Sequence, residues 1–198
     1  MGQYFTNDNT IESKERLISY TFLNENIKLF SDNGVFSKNR VDFGTNVLLN
    51  SLEDLSSVKS LLDVGCGIGT IGICIKKKYK NIHVVMIDVN ERAINLAKKN
   101  IEINHLEDIE AKISNLYENV REQYDMIISN PPIRAGKQIV HGVVTDGFEH
   151  LNHNGWMYIV IQKKQGAESM KNKMEEVFGN VQVVNKASGY LILKAIKK

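Results

Sequence analysis

Short apolar runs alternate with longer helical patterns from residue 60 onward. Five apolar runs predict strands, and they lie at Ser60–Val64, His83–Ile87, Glu110–Ile113, Tyr124–Ser129 and Trp156–Ile161. Apolar positions three and four residues apart predict helices at Thr70–Lys78, Glu91–Asn104, Lys137–His150 and Glu168–Phe178. Strands that alternate with helices in this way predict a parallel sheet with helices on both faces.

The C-terminal region departs from this alternation. Val181–Asn185 and Tyr190–Ala195 are both strand-like, and only the loop Lys186-Ala187-Ser188-Gly189 separates them. A loop this short can join only antiparallel neighbours. We therefore predict an α/β fold with a seven-stranded, mostly parallel sheet that ends in an antiparallel hairpin.

The N-terminal region predicts a smaller structure of its own. Strand-like Leu17–Leu23 and Ile27–Phe30 flank the turn-prone Asn24-Glu25-Asn26, which indicates a β-hairpin. A helical pattern follows at Thr45–Leu55. We expect two units: residues 1–40, a polar extension whose hairpin packs on the core, and residues 41–198, the main domain.

Composition narrows the class of protein. The chain has 198 residues, 42% of them hydrophobic and 24% charged, which is ordinary for a globular protein of the cytoplasm. Its net charge of +2 is too small to indicate a nucleic-acid partner by itself. No apolar stretch is long enough to span a membrane. The two cysteines and five histidines show no metal-ligand spacing, so we expect no metal.

One glycine-rich stretch, Leu61–Gly72, reads L-L-D-V-G-C-G-I-G-T-I-G and predicts a buried strand, a tight turn and the start of a helix. The part from Gly67 to Gly72 matches the dinucleotide fingerprint, which is a weak signal alone. The carboxylate of Asp63 would repel a pyrophosphate but suits a ligand that carries an ammonium and a sulfonium. Asp88, at the end of the next predicted strand, could bind a ribose diol in either class. Asp63 therefore favours S-adenosylmethionine (SAM).

A second motif, Asn130-Pro131-Pro132, follows the predicted strand Tyr124–Ser129 and contains the only two prolines of the chain. Ligands of open parallel sheets bind beyond the carboxyl ends of the strands, where the glycine-rich turn is also expected. An asparagine oxygen and a proline carbonyl make two acceptors that could hold a planar –NH2 group. The motif therefore predicts a site for an exocyclic amine beside the cofactor.

Together these motifs resemble a known family. L-D-V-G-C-G-I-G looks like motif I of the class I SAM-dependent methyltransferases, and N-P-P-I like the motif of those that methylate amino nitrogens. With V-F-S-K-N-R-V-D-F-G-T, I-S-N-L and G-Y-L-I-L-K-A, the chain is similar to the RsmC-type small-subunit rRNA guanine-N2 methyltransferases from about residue 30 to its end. The resemblance implies a Rossmann-like fold, SAM as cofactor, and 16S rRNA or the small ribosomal subunit as partner.

The resemblance and the two motifs suggest three sets of site residues. The expected cofactor-binding residues are Asp63, Gly65, Cys66, Gly67, Gly69, Asp88, Val89, Asn115 and Asn130. The expected catalytic residues are Asn130, Pro131, Pro132 and Ile133. The expected substrate-binding residues are Phe36, Arg40, Phe43, Arg134 and Lys137.

The chain also departs from the family pattern. It has no room for the second, degenerate domain of the larger members, so we expect the single-domain bacterial form, as a monomer or a dimer. Ile133 stands where many such enzymes have an aromatic ring, which leaves Phe36 or Phe43 to stack on the base. Alternative acceptors are adenine N6 and a protein glutamine amide. Two other classes stay open: an NAD-dependent oxidoreductase and a non-catalytic, SAM-binding RNA assembly factor.

Overall fold

The computed structural model describes residues 12–36 and 39–198. Residues 1–11 of the predicted extension, and Ser37 and Lys38 of the stretch before the first helix, lie outside the described residues. The strands are β1 (Arg16–Phe22), β2 (Glu25–Ser31), β3 (Ser60–Val64), β4 (His83–Asp88), β5 (Ile109–Ile113), β6 (Tyr124–Ser129), β7 (Leu151–Gln162), β8 (Gln182–Ala187) and β9 (Tyr190–Ile196). The α-helices are α1 (Phe43–Leu49), α2 (Thr70–Lys78), α3 (Glu91–Ile103), α4 (Lys137–Glu149) and α5 (Ala167–Phe178).

Seven strands form the main sheet in the order β5-β4-β3-β6-β7-β9-β8. The pairs from β5 to β7 are parallel, and β9 runs antiparallel to both β7 and β8. The predicted fold class is therefore confirmed. Strand order reverses between β3 and β6, where Val64 lies opposite Ser129. This reversal places the glycine-rich turn beside Asn130, at the position where α/β sheets bind ligands.

The sheet is buried on both faces because its strands alternate between two apolar clusters. Leu61 of β3 belongs to one cluster with α2, α3 and the N-terminal hairpin, and its neighbour Leu62 to the other with α4 and α5. Both leucines are fully buried. Strands covered on both faces are continuously apolar, which explains the short runs in the sequence.

The N-terminal hairpin packs on the first of these clusters. Strands β1 and β2 pair antiparallel, with Phe22 opposite Glu25. The turn consists of Leu23 and Asn24, whose φ angles of 46° and 68° match the two-residue turns that suit the twist of a hairpin. The predicted hairpin is present, but its predicted turn was too long, because Glu25 already belongs to β2.

Asparagines on α3 hold the hairpin in place. The Asn100 side chain accepts a hydrogen bond from the Phe30 amide at 2.6 Å and donates one to the Phe30 carbonyl at 3.0 Å. Asn104, one helical turn later, does the same for Lys28, at 3.1 and 2.7 Å. Asn100 also donates to the carbonyl of Ile68 in the glycine-rich turn, at 3.0 Å. The hairpin and the turn are thus tied to one buried side chain.

Two predicted boundaries differ from the structure by five or more residues. Helix α1 ends at Leu49, although the apolar pattern continued to Leu55. Leu55 is nevertheless fully buried. The apolar residues after Leu49 therefore reflect packing against the core and not a continued helix. Strand β7 begins at Leu151, five residues before Trp156, because polar residues at its start conceal the apolar pattern.

Candidate active site

A cavity opens at the carboxyl edge of the sheet, between the ends of strands β3 to β6, the N-terminal hairpin and the segment before α1. It brings together most residues of the three predicted sets. Those that line it are Phe36, Arg40, Gly65, Cys66, Gly67, Asp88, Val89, Asn115, Asn130, Pro131 and Pro132. Cofactor and acceptor motifs that are far apart in the sequence therefore share one cavity.

The glycine-rich turn requires glycine for its backbone conformation. Gly67 has a φ of +55°, which residues other than glycine rarely adopt. Space is not the reason for glycine here, because a Cβ at this position would meet no atom within 4 Å. Gly69, with a φ of +86°, is the N-cap of α2. It lies below the turn, away from the cavity lining, against Ile73 and Met86. Its structural role is to start the helix.

Two backbone amides, one in the turn and one in the first turn of α2, already donate hydrogen bonds to carboxylates of the protein. The Gly67 amide donates to Asp88 Oδ2 at 2.8 Å, and the Gly72 amide donates to Asp63 Oδ2 at 3.0 Å. A pyrophosphate bound at this turn would lie beside the Asp88 carboxylate, which already takes the Gly67 amide, and above the buried Asp63 carboxyl. The dinucleotide interpretation of the motif therefore does not fit the structure.

Asp63 is fully buried beneath the turn and does not line the cavity. Burial raises the pKa of its carboxyl to about 7; the Gly72 hydrogen bond opposes this shift and the charge of Asp88 adds to it. Its Oδ1 atom has no hydrogen-bond partner within the described part of the chain. This places an unsatisfied acceptor directly under the turn.

Asp88, at the end of β4, is held by backbone amides on both oxygens. Oδ2 accepts from Gly67, and Oδ1 accepts from Asn90 at 2.8 Å. Burial raises the pKa of this carboxyl, and the amide hydrogen bonds oppose the shift. Val89 and Asn115 flank it in the cavity, and the Asn115 side chain donates to Glu118 at 2.9 Å.

Asn130 follows β6 and has its amide group fixed by the segment that begins α1. Its Nδ2 donates to Asp42 Oδ2 at 3.2 Å and to Thr45 Oγ1 at 3.0 Å. These contacts use the –NH2 group and leave the Oδ1 atom as an acceptor in the cavity. The Pro132 carbonyl accepts from the Ala135 amide at 2.8 Å, which uses one of its two lone pairs.

Besides Asp63 and Gly69, four further predicted residues lie outside the cavity lining. Phe43 packs against the Tyr190 ring, with 5.7 Å between ring centroids. Ile133 packs on the apolar cluster under α4, and Arg134 and Lys137 are exposed on the rim at the start of that helix. Phe36, 40% exposed, is the one of the two candidate stacking rings that lies in the cavity.

Comparison with known proteins identifies the family. The family model described as "Methyltransferase small domain" matches residues 26–194. The chain belongs to this family. A Bacillus subtilis (strain 168) protein named YbxB is 42% identical over 196 residues, which cover 98% of each chain.

Other relatives are longer than this methyltransferase. The Haemophilus influenzae (strain PittGG) "Ribosomal RNA small subunit methyltransferase C" is 36% identical over 140 residues, which cover 69% of this chain and 42% of the relative. The structure of the T. thermophilus 16S rRNA N2 G1207 methyltransferase (RsmC) superposes with a TM-score of 0.85 at 24% identity, over 94% of this chain and 52% of that one. The predicted class, a SAM-dependent methyltransferase of the RsmC-like type, is confirmed.

The residues in and beneath the methyltransferase cavity suit SAM as a cofactor. Asp63 and Asp88 put two carboxylates beside the turn, and Asp63 Oδ1 is an acceptor without a partner in the described residues. A ligand that carries positive charge would offset both the desolvation and the mutual repulsion of these groups. We therefore expect Asp88 to bind the ribose and the negative potential of Asp63 to favour the cationic amino acid part.

Sequence reasoning missed several lining residues of the methyltransferase. They include Ile18 and Leu29 of the hairpin, Val41, Asp42 and Thr45 before or in α1, Ile68 of the turn, Thr70 and Ile71 at the start of α2, and Ser114 and Leu116 after β5. Asp42 and Thr45 belong to the V-D-F-G-T stretch, so the sequence did offer a signal for them. No local pattern could reveal that the hairpin residues reach the cavity.

Within residues 12–36 and 39–198, no group of three or more His, Cys, Asp or Glu side chains is arranged to hold a metal ion. Among the helices that the structure describes, none is both long and apolar enough to cross a membrane.

Proposed function

We propose that this methyltransferase transfers a methyl group from SAM to the exocyclic N2 of a guanine in small-subunit (16S) rRNA. The observation that carries the proposal is the Asn130 amide, whose –NH2 group is tied to Asp42 and Thr45 and whose oxygen is left for a ligand. Asn130 lines the same cavity as the glycine-rich turn. The names of the relatives support the substrate class, and the T. thermophilus structure is described as a complex with AdoMet and guanosine.

Catalysis in this proposal is mainly positioning. When bound, SAM supplies an electrophilic methyl group: the nitrogen lone pair forms the new N–C bond while the S–C bond breaks and leaves its electron pair on sulfur. Asn130 Oδ1 and the free lone pair of the Pro132 carbonyl would each accept a hydrogen bond from one N–H group of the amine, which directs the nitrogen lone pair along the line of transfer. No base is needed before transfer, because the methylated nitrogen is cationic and loses its proton readily to water.

The remaining lining residues divide between cofactor and substrate. Asp88 would accept from the ribose hydroxyls, and Val89 and Asn115 would flank the adenine. Phe36 would stack on the target base, a contact worth roughly 1–3 kcal/mol. A base paired in rRNA must first be unstacked, which costs a few kcal/mol. Arg40 would hold the RNA backbone at the mouth of the cavity.

The position of the target nucleotide does not follow from the relatives. The match to the H. influenzae protein covers only 42% of that protein, so the choice of nucleotide does not carry over from it. We propose the base and the transferred group and leave the nucleotide to experiment.

The test is transfer of labelled methyl from SAM to three acceptors. These are small subunits and naked rRNA from cells that lack the gene, and a release-factor protein as a glutamine acceptor. The RNA product is digested to nucleosides. Label in N2-methylguanosine is the expected result; label in N6-methyladenosine or in the protein would refute guanine as the acceptor. No transfer to any acceptor, with SAM bound, would refute the enzymatic proposal and favour a binding role.

A matched pair of variants tests the role of Asn130. Asn130→Ala should lower kcat at least 100-fold and leave the Kd for SAM within about threefold, because the acceptor for the amine is lost and the turn is untouched. Asn185→Ala is the control, since Asn185 is exposed on β8, where its side chain donates to Ser51 at 2.8 Å and accepts from the Lys186 amide at 2.7 Å. If Asn130→Ala kept most of the activity, Asn130 would not be the acceptor.

A further inference from the structure

Asp42 contacts the amide that we assign to the acceptor site, and it does so from the N-terminus of α1. It is the N-cap of that helix, with Oδ2 accepting from the Thr45 amide at 3.2 Å. The same Oδ2 accepts from Asn130 Nδ2 at 3.2 Å. One carboxylate therefore both starts the helix and faces the amide in the cavity.

Only Asp42 selects the orientation of the Asn130 amide. A hydroxyl such as that of Thr45 can donate or accept, so it can pair with either the –NH2 group or the oxygen of the amide. A carboxylate can only accept, and it repels an amide oxygen. With Asp42 in place, the –NH2 group must point to α1, and Oδ1 must be left for the substrate.

The charge of Asp42 has a second consequence. A hydrogen bond to an ionised acceptor is about twice as strong as a neutral one and polarises the group that donates it. Electron density in the Asn130 amide shifts toward Oδ1, the atom that would accept from the amine. The amine nitrogen becomes cationic as the N–C bond forms, so this shift is worth more in the transition state than in the ground state.

We propose that Asp42 is a positioning residue for methyl transfer. It orients the Asn130 amide and polarises it, so that electron density increases on Oδ1, the atom that faces the reacting nitrogen. The inference rests on the proposed function, but it does not depend on whether the amine belongs to guanine, adenine or glutamine. Each of these nitrogens becomes cationic in the same step.

The test is Asp42→Asn, which removes the charge and keeps a good helix cap, since asparagine and aspartate cap equally well. We expect kcat to fall 30- to 300-fold, with the KM for SAM within threefold and the melting temperature nearly unchanged. Thr45→Val should lower kcat less than tenfold, because the carboxylate still orients the amide.

Asp54→Asn, the same chemical change on an exposed loop residue, is the matched control. The proposal would be overturned if Asp42→Asn kept kcat within threefold of the wild type. It would also be overturned if Thr45→Val lowered kcat as much as Asp42→Asn does. Assays use whichever acceptor the wild-type protein methylates. A wild type that methylates no acceptor would overturn the proposed function, whereas an active wild type with an equally active Asp42→Asn would overturn only the role of Asp42.

Discussion

Asp63 offers a quantitative test of how the cofactor site is built. Its carboxyl is fully buried, and burial raises its pKa from 3.8 to about 7. In the unfolded chain the group loses its proton near pH 4, whereas the folded protein keeps the proton up to about pH 7. Because the folded state binds the extra proton, its stability falls as the pH rises through this window.

The magnitude follows from the size of the shift. A difference of about 3 pKa units corresponds to about 4 kcal/mol, of which about 3 kcal/mol is lost between pH 5 and pH 8. Asp63→Asn removes this contribution because the amide does not ionise, and its oxygen can still accept from the Gly72 amide. Asp88 also has a raised pKa and contributes in the same direction, but it is present in both proteins.

The assay is urea unfolding of the wild type and Asp63→Asn at pH 5, 6, 7 and 8, followed by circular dichroism. The free energy of unfolding of the variant, relative to the wild type, should rise by about 3 kcal/mol from pH 5 to pH 8. Asp54→Asn, an exposed change, should leave the pH dependence as in the wild type. A difference between Asp63→Asn and wild type that stays constant with pH would refute the reasoning.

The affinity for SAM provides a second test of the charge of Asp63. A cationic ligand stabilises the ionised form of Asp63, so the Kd of the wild type for SAM should decrease from pH 6 to pH 8. Asp63→Asn should bind SAM more weakly at pH 8 and with less pH dependence. Equal affinity of the two proteins at pH 8 would show that the charge of Asp63 does not favour the cofactor.

Two further predictions concern the hairpin and the RNA. Asn100→Ala and Asn104→Ala both remove two hydrogen bonds to the hairpin, and each should destabilise the protein by about 2–3 kcal/mol in urea unfolding. Only Asn100→Ala also frees the Ile68 carbonyl, so only this variant should raise the KM for SAM several-fold; equal KM values would refute the link. Lys163 and Lys164 are exposed in the turn after β7, at the same sheet edge as the cavity. Replacing both with alanine should raise the KM for rRNA several-fold at physiological salt and weaken its salt dependence. Alanine at Lys80, exposed near the opposite edge, should do neither, and an equal effect there would indicate a non-specific loss of charge.

Local sequence determined the order of elements and the motifs of the site. The β3 and β6 strands and the α2 helix occupy the predicted residues, because buried strands are continuously apolar and helix starts carry glycine or polar caps. The glycine-rich turn and Asn130 could be assigned to one edge of the sheet, because the carboxyl ends of parallel strands share that edge. The family resemblance then predicted the cofactor class.

Only the tertiary structure decided which residues complete the cavity and how its polar groups are paired. The sequence shows an acidic residue at Asp63, but not that it lies beneath the turn with one oxygen bonded and the other without a partner among the described residues. Likewise, nothing local predicts that Asp42 reaches Asn130, 88 residues away. The physical reason is that periodicity and turn chemistry act over a few residues, whereas hydrogen bonds between distant segments form only when the sheet brings them together.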